Sequence, residues 1–223
     1  MSAVLKLKNI SKEFTEPRRN IVALNRINLE LSKGQCIGLL GPSGSGKSTL
    51  LQIAGLLDNP TNGEIFINGK KCDILSQEKK NLIRKKYIGF IYQNFYLLDS
   101  FSALENIIIP QLINGSSYKS AKKRAIKLLA SLGLSKRIDN KPRELSGGEK
   151  QRVAILRAIA NMPKIILADE PTGNLDKKNS ENVIKIIKDL VRHYKISFIV
   201  ATHNLSIIKK FDKIIKLSEG KLI

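Results

Sequence analysis

The stretch GPSGSGKST, Gly41 to Thr49, constrains this chain more than any other. Gly41, Pro42, Ser43, Gly44, Ser45, Gly46, Lys47, Ser48 and Thr49 lie between the apolar run QCIGLLG and a segment in which Leu50, Leu51, Ala54 and Leu57 recur at helical spacing. Glycines at 41, 44 and 46 let the backbone curl so that successive N–H groups converge. A helix start adds its partial positive charge, Lys47 can reach outer phosphates, and the Ser48 hydroxyl can ligate Mg²⁺. A strand, a glycine loop ending in Lys-Ser and a helix make a phosphate-binding loop, and they commit the surrounding fold to an α/β layer structure.

Apolar runs and helical patterns alternate along the rest of the chain. INLEL, the turn SKG and QCIGLLG predict a hairpin whose second strand enters the loop. A short strand centres on Ile65 and Phe66, and YIGFIY leads to Gln93. From Phe101 to Gly133 the period turns helical, with Ala121, Ala125, Leu128, Leu129 and Leu132 at threes and fours, and the helical insertion continues to about Ala160. KIILADE then has the composition of a strand covered on both faces. A helix over Lys177 to Tyr194, the strand ISFIVAT, a short helix and a strand near DKIIKL follow. This order argues for a mainly parallel sheet with crossover helices.

A phosphate loop calls for a carboxylate at the end of a buried strand to hold the metal, and IILADE supplies two. Asp169 can orient Mg²⁺, and Glu170 can polarise a water for in-line attack on a γ-phosphate. Alone, such a pair could equally cap a helix. In RELSGGEKQRVAILRAIA, Ser146, Gly147 and Gly148 precede a helix and can present a hydroxyl and backbone N–H groups at its positive end. Read locally, Ser146 is an N-cap. Read with the loop, it is a second phosphate-binding surface, surplus in one chain and suited to a nucleotide bound across two subunits.

The 223 residues suit one domain, and no apolar run approaches the ~20 residues of a membrane-spanning helix. The N-terminus alternates Leu5 and Leu7 with Lys6 and Lys8 like a strand and lacks the order of a signal peptide, so a cytoplasmic, soluble chain is expected. Cys36 and Cys72 stand apart without metal-ligand spacing and read as buried free thiols. Lys plus Arg number 39 against 19 Asp plus Glu, a net charge of +20. The lysines are scattered on polar helix faces, which suits solvated surfaces, with attraction to an anionic membrane as the functional alternative.

Together these motifs resemble the nucleotide-binding subunit of ATP-binding cassette (ABC) transporters along essentially the whole chain. In that family GPSGSGKST corresponds to the phosphate loop, LSGGE to the signature, IILADE to the Walker B strand and GNLD, with Asp176, to the D-loop. FIYQ corresponds to the Q-loop through Gln93 and ATHN to the switch histidine through His203. The resemblance implies a P-loop NTPase of the ABC ATPase fold, one domain over 1–223. Its mainly parallel, RecA-like core and antiparallel β subdomain take up 1–92 and 162–223, and its helical subdomain, with the signature, takes up 93–161. It also implies ATP and Mg²⁺ as cofactors. Two subunits would sandwich two ATP head to tail as a homodimer, each signature completing the partner's site. Lys47, Glu170 and His203 would serve catalysis, Ser48, Gln93 and Asp169 the metal, and Phe14 would stack on adenine where relatives usually carry Tyr.

Within the family, GLLDNPTNGEIFING, FIYQNFYLLDSFSALENI and LADEPTGNLD resemble the branch of lipoprotein-releasing LolD, exporter MacB and cell-division FtsE ATPases. The length without a fused permease, and FIYQ…LLDSFSALEN followed by IIIPQLI, look closest to the lipoprotein-releasing group. That resemblance implies LolC/LolE-like permease partners at the cytoplasmic face of the inner membrane. Asp99, where many relatives carry Pro, and Leu156, where Ala is usual, depart from the pattern near the permease-facing loop and on the signature helix. The cassette ATPases associated with nucleic acid carry tandem cassettes or long coiled-coil or zinc insertions; this sequence has neither, and no nucleic-acid partner is expected.

Overall fold

The computed structural model describes residues 3–16 and 19–223. The elements run β1 (Ala3–Glu16), β2 (Arg19–Ser32), β3 (Cys36–Leu40), α1 (Lys47–Ala54), β4 (Asn62–Ile67), β5 (Lys70–Lys71), α2 (Gln77–Tyr87), β6 (Ile88–Ile91) and α3 (Ala103–Ile113). They continue as α4 (Tyr118–Ser131), α5 (Gly147–Ile159), β7 (Ile165–Asp169), α6 (Lys177–Tyr194), β8 (Ser197–Thr202), α7 (Leu205–Ile208), β9 (Lys213–Ser218) and β10 (Lys221–Leu222).

Two sheets form. One is antiparallel, in the order β2-β1-β4-β5, and the other runs β10-β9-β3-β8-β7-β6 with β9, β3, β8, β7 and β6 parallel. The central strands are apolar on both faces: β8 is buried throughout and β7 everywhere except Asp169. Such strands need cover on both sides. One face packs on Leu5, Leu7, Leu31, Leu50 and Ile53 from the antiparallel sheet and α1, and the other on Ile107, Leu129, Val153 and Ile187 from the helices.

The hairpin predicted across SKG does not form. β2 pairs with β1, Leu29 opposite Leu7, while β3 pairs in parallel with β8 and β9. The turn at Gly34, in the left-handed region with φ 68°, carries the chain from one sheet to the other. The reason lies in the patterns. INLEL alternates and can leave one face in water, whereas CIGLL is apolar on both faces and is satisfied only inside the parallel sheet. Leu57 is a second correction. α1 stops at Ala54, and Leu56 turns inward with φ 58° while Leu57 is exposed.

The helices from 103 to 159 stack on one another and on the sheet's second face. α3 starts with a capping box between Ser102 and Glu105, and Asn106, fully buried, uses its side-chain amide to accept from Leu98 N and to donate to the carbonyls of Leu98, Phe101 and Ser102. That buried amide fixes the loop between β6 and α3 by satisfying its backbone. Among the described residues no helix is long and apolar enough to cross a membrane, and both cysteines are buried and free.

Candidate functional site

Because β3, β8, β7 and β6 run parallel, the residues that follow each of them emerge at one edge of the sheet. That edge is where open α/β sheets place their ligands. The phosphate loop follows β3, Asp169 ends β7 and Glu170 follows it, Thr202 ends β8 and His203 follows it, and Gln93 comes after β6.

The loop takes the conformation its glycines permit. Gly44 and Gly46 have φ of 79° and 100°, and a Cβ on Gly46 would lie 2.5 Å from the Ala23 carbonyl oxygen. Gly46 precedes α1 without a side-chain cap, so the first N–H groups of that helix are left for a ligand. The Lys47 ammonium, nearly buried, donates to the carbonyls of Gly41 at 2.8 Å and Pro42 at 2.9 Å. Its charge is thus folded into the cup of the loop. The Ser45 hydroxyl is buried and has no hydrogen-bond partner among the described residues.

Asp169 lies beside this cup. Burial pushes its pKa up, and the neighbouring Glu170 adds to that, while a hydrogen bond from Ser48 and the charge of Lys47 oppose it. A hydroxyl and a buried carboxylate, hard oxygen donors held together, fit a small divalent cation such as Mg²⁺. Glu170, whose backbone sits in the left-handed region at φ 45°, is held at three points. Its Oε2 accepts from the Thr202 hydroxyl at 3.0 Å, and its Oε1 accepts from the His203 N–H at 3.0 Å and lies 2.8 Å from His203 Nδ1. A left-handed non-glycine residue at a strand end is stored strain of the kind found at reacting centres.

Among the described residues Gln93 makes no hydrogen bond to Ser48 or Asp169. Its Nε2 donates to Asn174 Oδ1 at 3.2 Å, and the Asn174 side chain donates back to the Gln93 carbonyl at 3.1 Å. Phe14, on β1, is 42% exposed, with Lys12 Nζ over one face of its ring, 5.0 Å from the centre.

The second glycine-rich segment stands apart from the loop. Ser146 caps α5, accepting from Glu149 N at 3.3 Å while Glu149 Oε2 accepts from Ser146 N at 2.8 Å. Arg137 Nε donates to the other Glu149 oxygen at 2.8 Å. Gly147 and Gly148 pack on the D-loop: a Cβ on Gly148 would strike the Asn179 side chain at 2.3 Å. Asn179 in turn donates twice to Asp176, the N-cap of α6, at 2.8 and 2.7 Å. Among the described residues no hydrogen bond links Ser146–Gly148 to the phosphate loop or to Glu170. The sheet edge thus gathers Gly41–Thr49, Gln93, Asp169, Glu170 and His203, whereas Ser146, Gly147, Gly148 and Asp176 form a separate surface.

Four residues escaped the sequence reading. Thr202 holds Glu170 and Asn174 holds Gln93. Gln151 Nε2 donates to the Pro171 carbonyl at 2.6 Å, tying the signature helix to the segment after Glu170. Arg157 donates to the carbonyls of Phe95 and Tyr96, tying it to the segment after Gln93. Thr202 and Asn174 sit inside ATHN and GNLD, so adjacency was their signal; Gln151 and Arg157 act across 20 and more residues, where sequence carries none.

Comparison with known proteins agrees with this geometry. The family model described as ABC transporter matches residues 24–173. The lipoprotein-releasing system ATP-binding protein LolD 1 of Rhodospirillum rubrum is 48% identical over 221 residues, covering 99% of this chain and 98% of that protein. The lipoprotein-releasing system ATP-binding protein LolD of Rickettsia felis is 49% identical over the same shares. Among solved structures, an ATP-binding cassette in a dimeric post-hydrolysis state bound to ADP and Pi superposes with a TM-score of 0.91 at 39% identity, covering 98% of this chain and 96% of that one. A bacterial ABC transporter cassette, also dimeric, superposes with a TM-score of 0.91 at 40% identity and the same coverage. With the loop, the acidic strand end and the signature all in place on that fold, the chain belongs to the ABC transporter family, as an ATP-binding and ATP-hydrolysing cassette.

Proposed function

We propose that this cassette powers a lipoprotein-releasing transporter, working as a homodimer beneath a LolC/LolE-like permease at the cytoplasmic face of the inner membrane. The observation that carries this reading is the near-complete, 48–49% identity to proteins named for lipoprotein release.

Gly41–Thr49 hold the phosphates, with Lys47 leaving its two loop carbonyls for the β- and γ-phosphates. Phe14 offers a face of its ring to the adenine. Ser48 and Asp169 would hold Mg²⁺, with Gln93 released from Asn174 to join them; a bound Mg²⁺ neutralises phosphate charge. Glu170 takes a proton from the attacking water, and the hydroxide oxygen bonds the γ-phosphorus as the bond to ADP breaks. His203, already anchored to Glu170 through Nδ1, presents its imidazole toward the γ-phosphate. Ser146, Gly147 and Gly148 bind the γ-phosphate held by the other subunit, and Asp176 sets the start of α6 at that seam. Residues 93–161 form the arm that carries closure to the permease, since Arg157 and Gln151 link α5 to the segments after Gln93 and Glu170.

Affinity purification from mild-detergent extracts, with mass spectrometry of what accompanies the cassette, tests the assignment. Permease subunits with large outer domains and bound lipoproteins are the expected companions. A cell-division permease or a MacB-like exporter in their place would overturn lipoprotein release and leave the ATPase standing.

A further inference from the structure

His203 stands between two hollows. One runs past Gly41 and Pro42, on the side of the phosphate loop, and the other, of about 420 Å³, opens behind Glu170 between α6 and α7. The second has a volume on the order of a dozen waters. Its floor includes Thr172 and Thr202, both buried, and its rim includes Lys177, Glu181, Ser206 and Lys210, all exposed. The hydroxyl of Thr172 has no intramolecular hydrogen bond among the described residues, and neither Lys177 nor Lys210 is in an ion pair there. The wall between the hollows is thin: the imidazole of His203 is 65% exposed and tethered through Nδ1 alone.

We infer that this second cavity is a transient site and exit for the inorganic phosphate made by hydrolysis. The inference rests on the reading of Glu170 as base and of the signature as the partner's lid. With the partner's Ser146–Gly148 surface over the front of the γ-phosphate, the phosphate is enclosed on that side until the dimer opens. The cavity behind Glu170 offers the Thr172 hydroxyl on its floor, the Thr202 hydroxyl being spent on Glu170, and two cations on its rim that are unpaired among the described residues, which suit a hydrated phosphate. Two carboxylates face the route. Glu181 on the rim is outnumbered by the lysines. Glu170 at the entrance has both carboxylate oxygens engaged, by the Thr202 hydroxyl and by the His203 N–H and imidazole, and Lys177 and Lys210 stand beyond it. A field of one dominant sign at a narrow mouth speeds an ion's passage by tenfold or more.

The experiment is single-turnover hydrolysis of ATP by the full chain with its permease, in two channels. Chemical quench reports all phosphate formed, and a fluorescent phosphate sensor reports only phosphate released. In Lys210→Glu, and more strongly in Lys177→Glu/Lys210→Glu, release is expected to lag cleavage by about tenfold more than in the parent, with cleavage itself unchanged. Lys210→Gln should give a smaller lag. Release that keeps pace with cleavage in every variant would overturn the exit. Loss of cleavage in Lys210→Gln as well as Lys210→Glu would place Lys210 in the chemistry and also overturn it. A parent that forms no phosphate in the quench channel would defeat the ATPase reading itself, a separate failure.

Discussion

At the phosphate loop the chain leaves a buried carboxylate raised in pKa, whereas at the signature and the start of α6 the carboxylates are held by hydrogen bonds. Asp169 has its pKa pushed up by burial, and among the described residues the ammonium of Lys47 hydrogen-bonds to two carbonyls and to no carboxylate. Glu149 and Asp176 are the reverse: backbone N–H groups at the starts of α5 and α6 hold both carboxylates below the usual range, with Arg137 and Asn179 assisting. The first surface is poised for a cation and a polyanion; the second is complete as it stands and gives only a hydroxyl and a helix start. A surface already satisfied cannot carry a nucleotide alone, but it can close over one held elsewhere. The contrast therefore argues for two unlike half-sites in one chain.

The largest effects break the first half-site. Lys47→Ala should weaken ATP binding by about a hundredfold or more, because a charge-assisted contact to phosphate is lost outright; titration with a fluorescent ATP analogue reads it. Glu170→Gln should lower hydrolysis by about 10²–10⁴-fold while leaving ATP binding and an ATP-dependent dimer visible by gel filtration. Parental turnover in that variant would remove Glu170 from the chemistry.

A mixing experiment sharpens the comparison itself. Ser146→Arg should bind ATP in the monomer yet fail to hydrolyse, as Lys47→Ala fails for the opposite reason. If sites are composite and related by two-fold symmetry, each mixed dimer regains one site with intact Lys47 and intact Ser146. Half of randomly paired dimers are mixed, so activity returns to about a quarter of the parental value. If each chain held a complete site, mixing two dead proteins would restore nothing.

What could be read before the fold was seen follows the same division. The residues proposed for phosphate chemistry sit in short contiguous motifs, so Gly41–Thr49, Asp169, Glu170 and His203 could be picked out as candidates from the sequence alone. α6 was legible over its full length because its apolar face repeats strictly, with Val183, Ile187 and Leu190 buried. The error at Gly34 came from treating adjacency as pairing: sheet partners are chosen by which faces can be buried. α2 was not read at all. Nine of its eleven residues are left outside the core, with only Lys80 and Ile83 buried, so it has too narrow an apolar stripe to announce itself. The bonds of Gln151 and Arg157 across the chain depend on tertiary placement and leave no local trace.

A smaller effect separates the stability of the first half-site from its function. Removing the charge of Asp169 removes a buried carboxylate whose folded pKa is raised. Such a group favours the fold at low pH and weakens it as pH rises through the folded pKa. Asp169→Asn should therefore raise the nucleotide-free melting temperature by about 2 °C at neutral pH while abolishing hydrolysis. A lower melting temperature would mean that Asp169 is held by contacts stronger than its desolvation.

The smallest effect lies at the second half-site and has the opposite sign. Glu149 has a lowered folded pKa, so its contribution is fully present above the ordinary glutamate range near pH 4.3 and is lost as pH falls through the folded value. Glu149→Ala removes the half of the box made by the carboxylate, along with its bond from Arg137, but keeps the backbone N–H that donates to Ser146, and should cost about 0.5–1 kcal/mol at pH 7 by urea unfolding. Glu149→Gln can keep the hydrogen bonds of the box but has no proton to gain, so its loss of stability between pH 7 and pH 4 should be smaller than the parent's. The two substitutions thus separate geometry from charge at the one carboxylate nearest the signature serine. Because Asp169→Asn removes a contribution of opposite pH slope, Asp169→Asn and Glu149→Gln should lie on opposite sides of the parent at pH 7 and close on it from opposite directions as pH falls. Parallel curves would mean that the two ends of the molecule treat their carboxylates alike, and the distinction between a charged half-site and a satisfied one would fail.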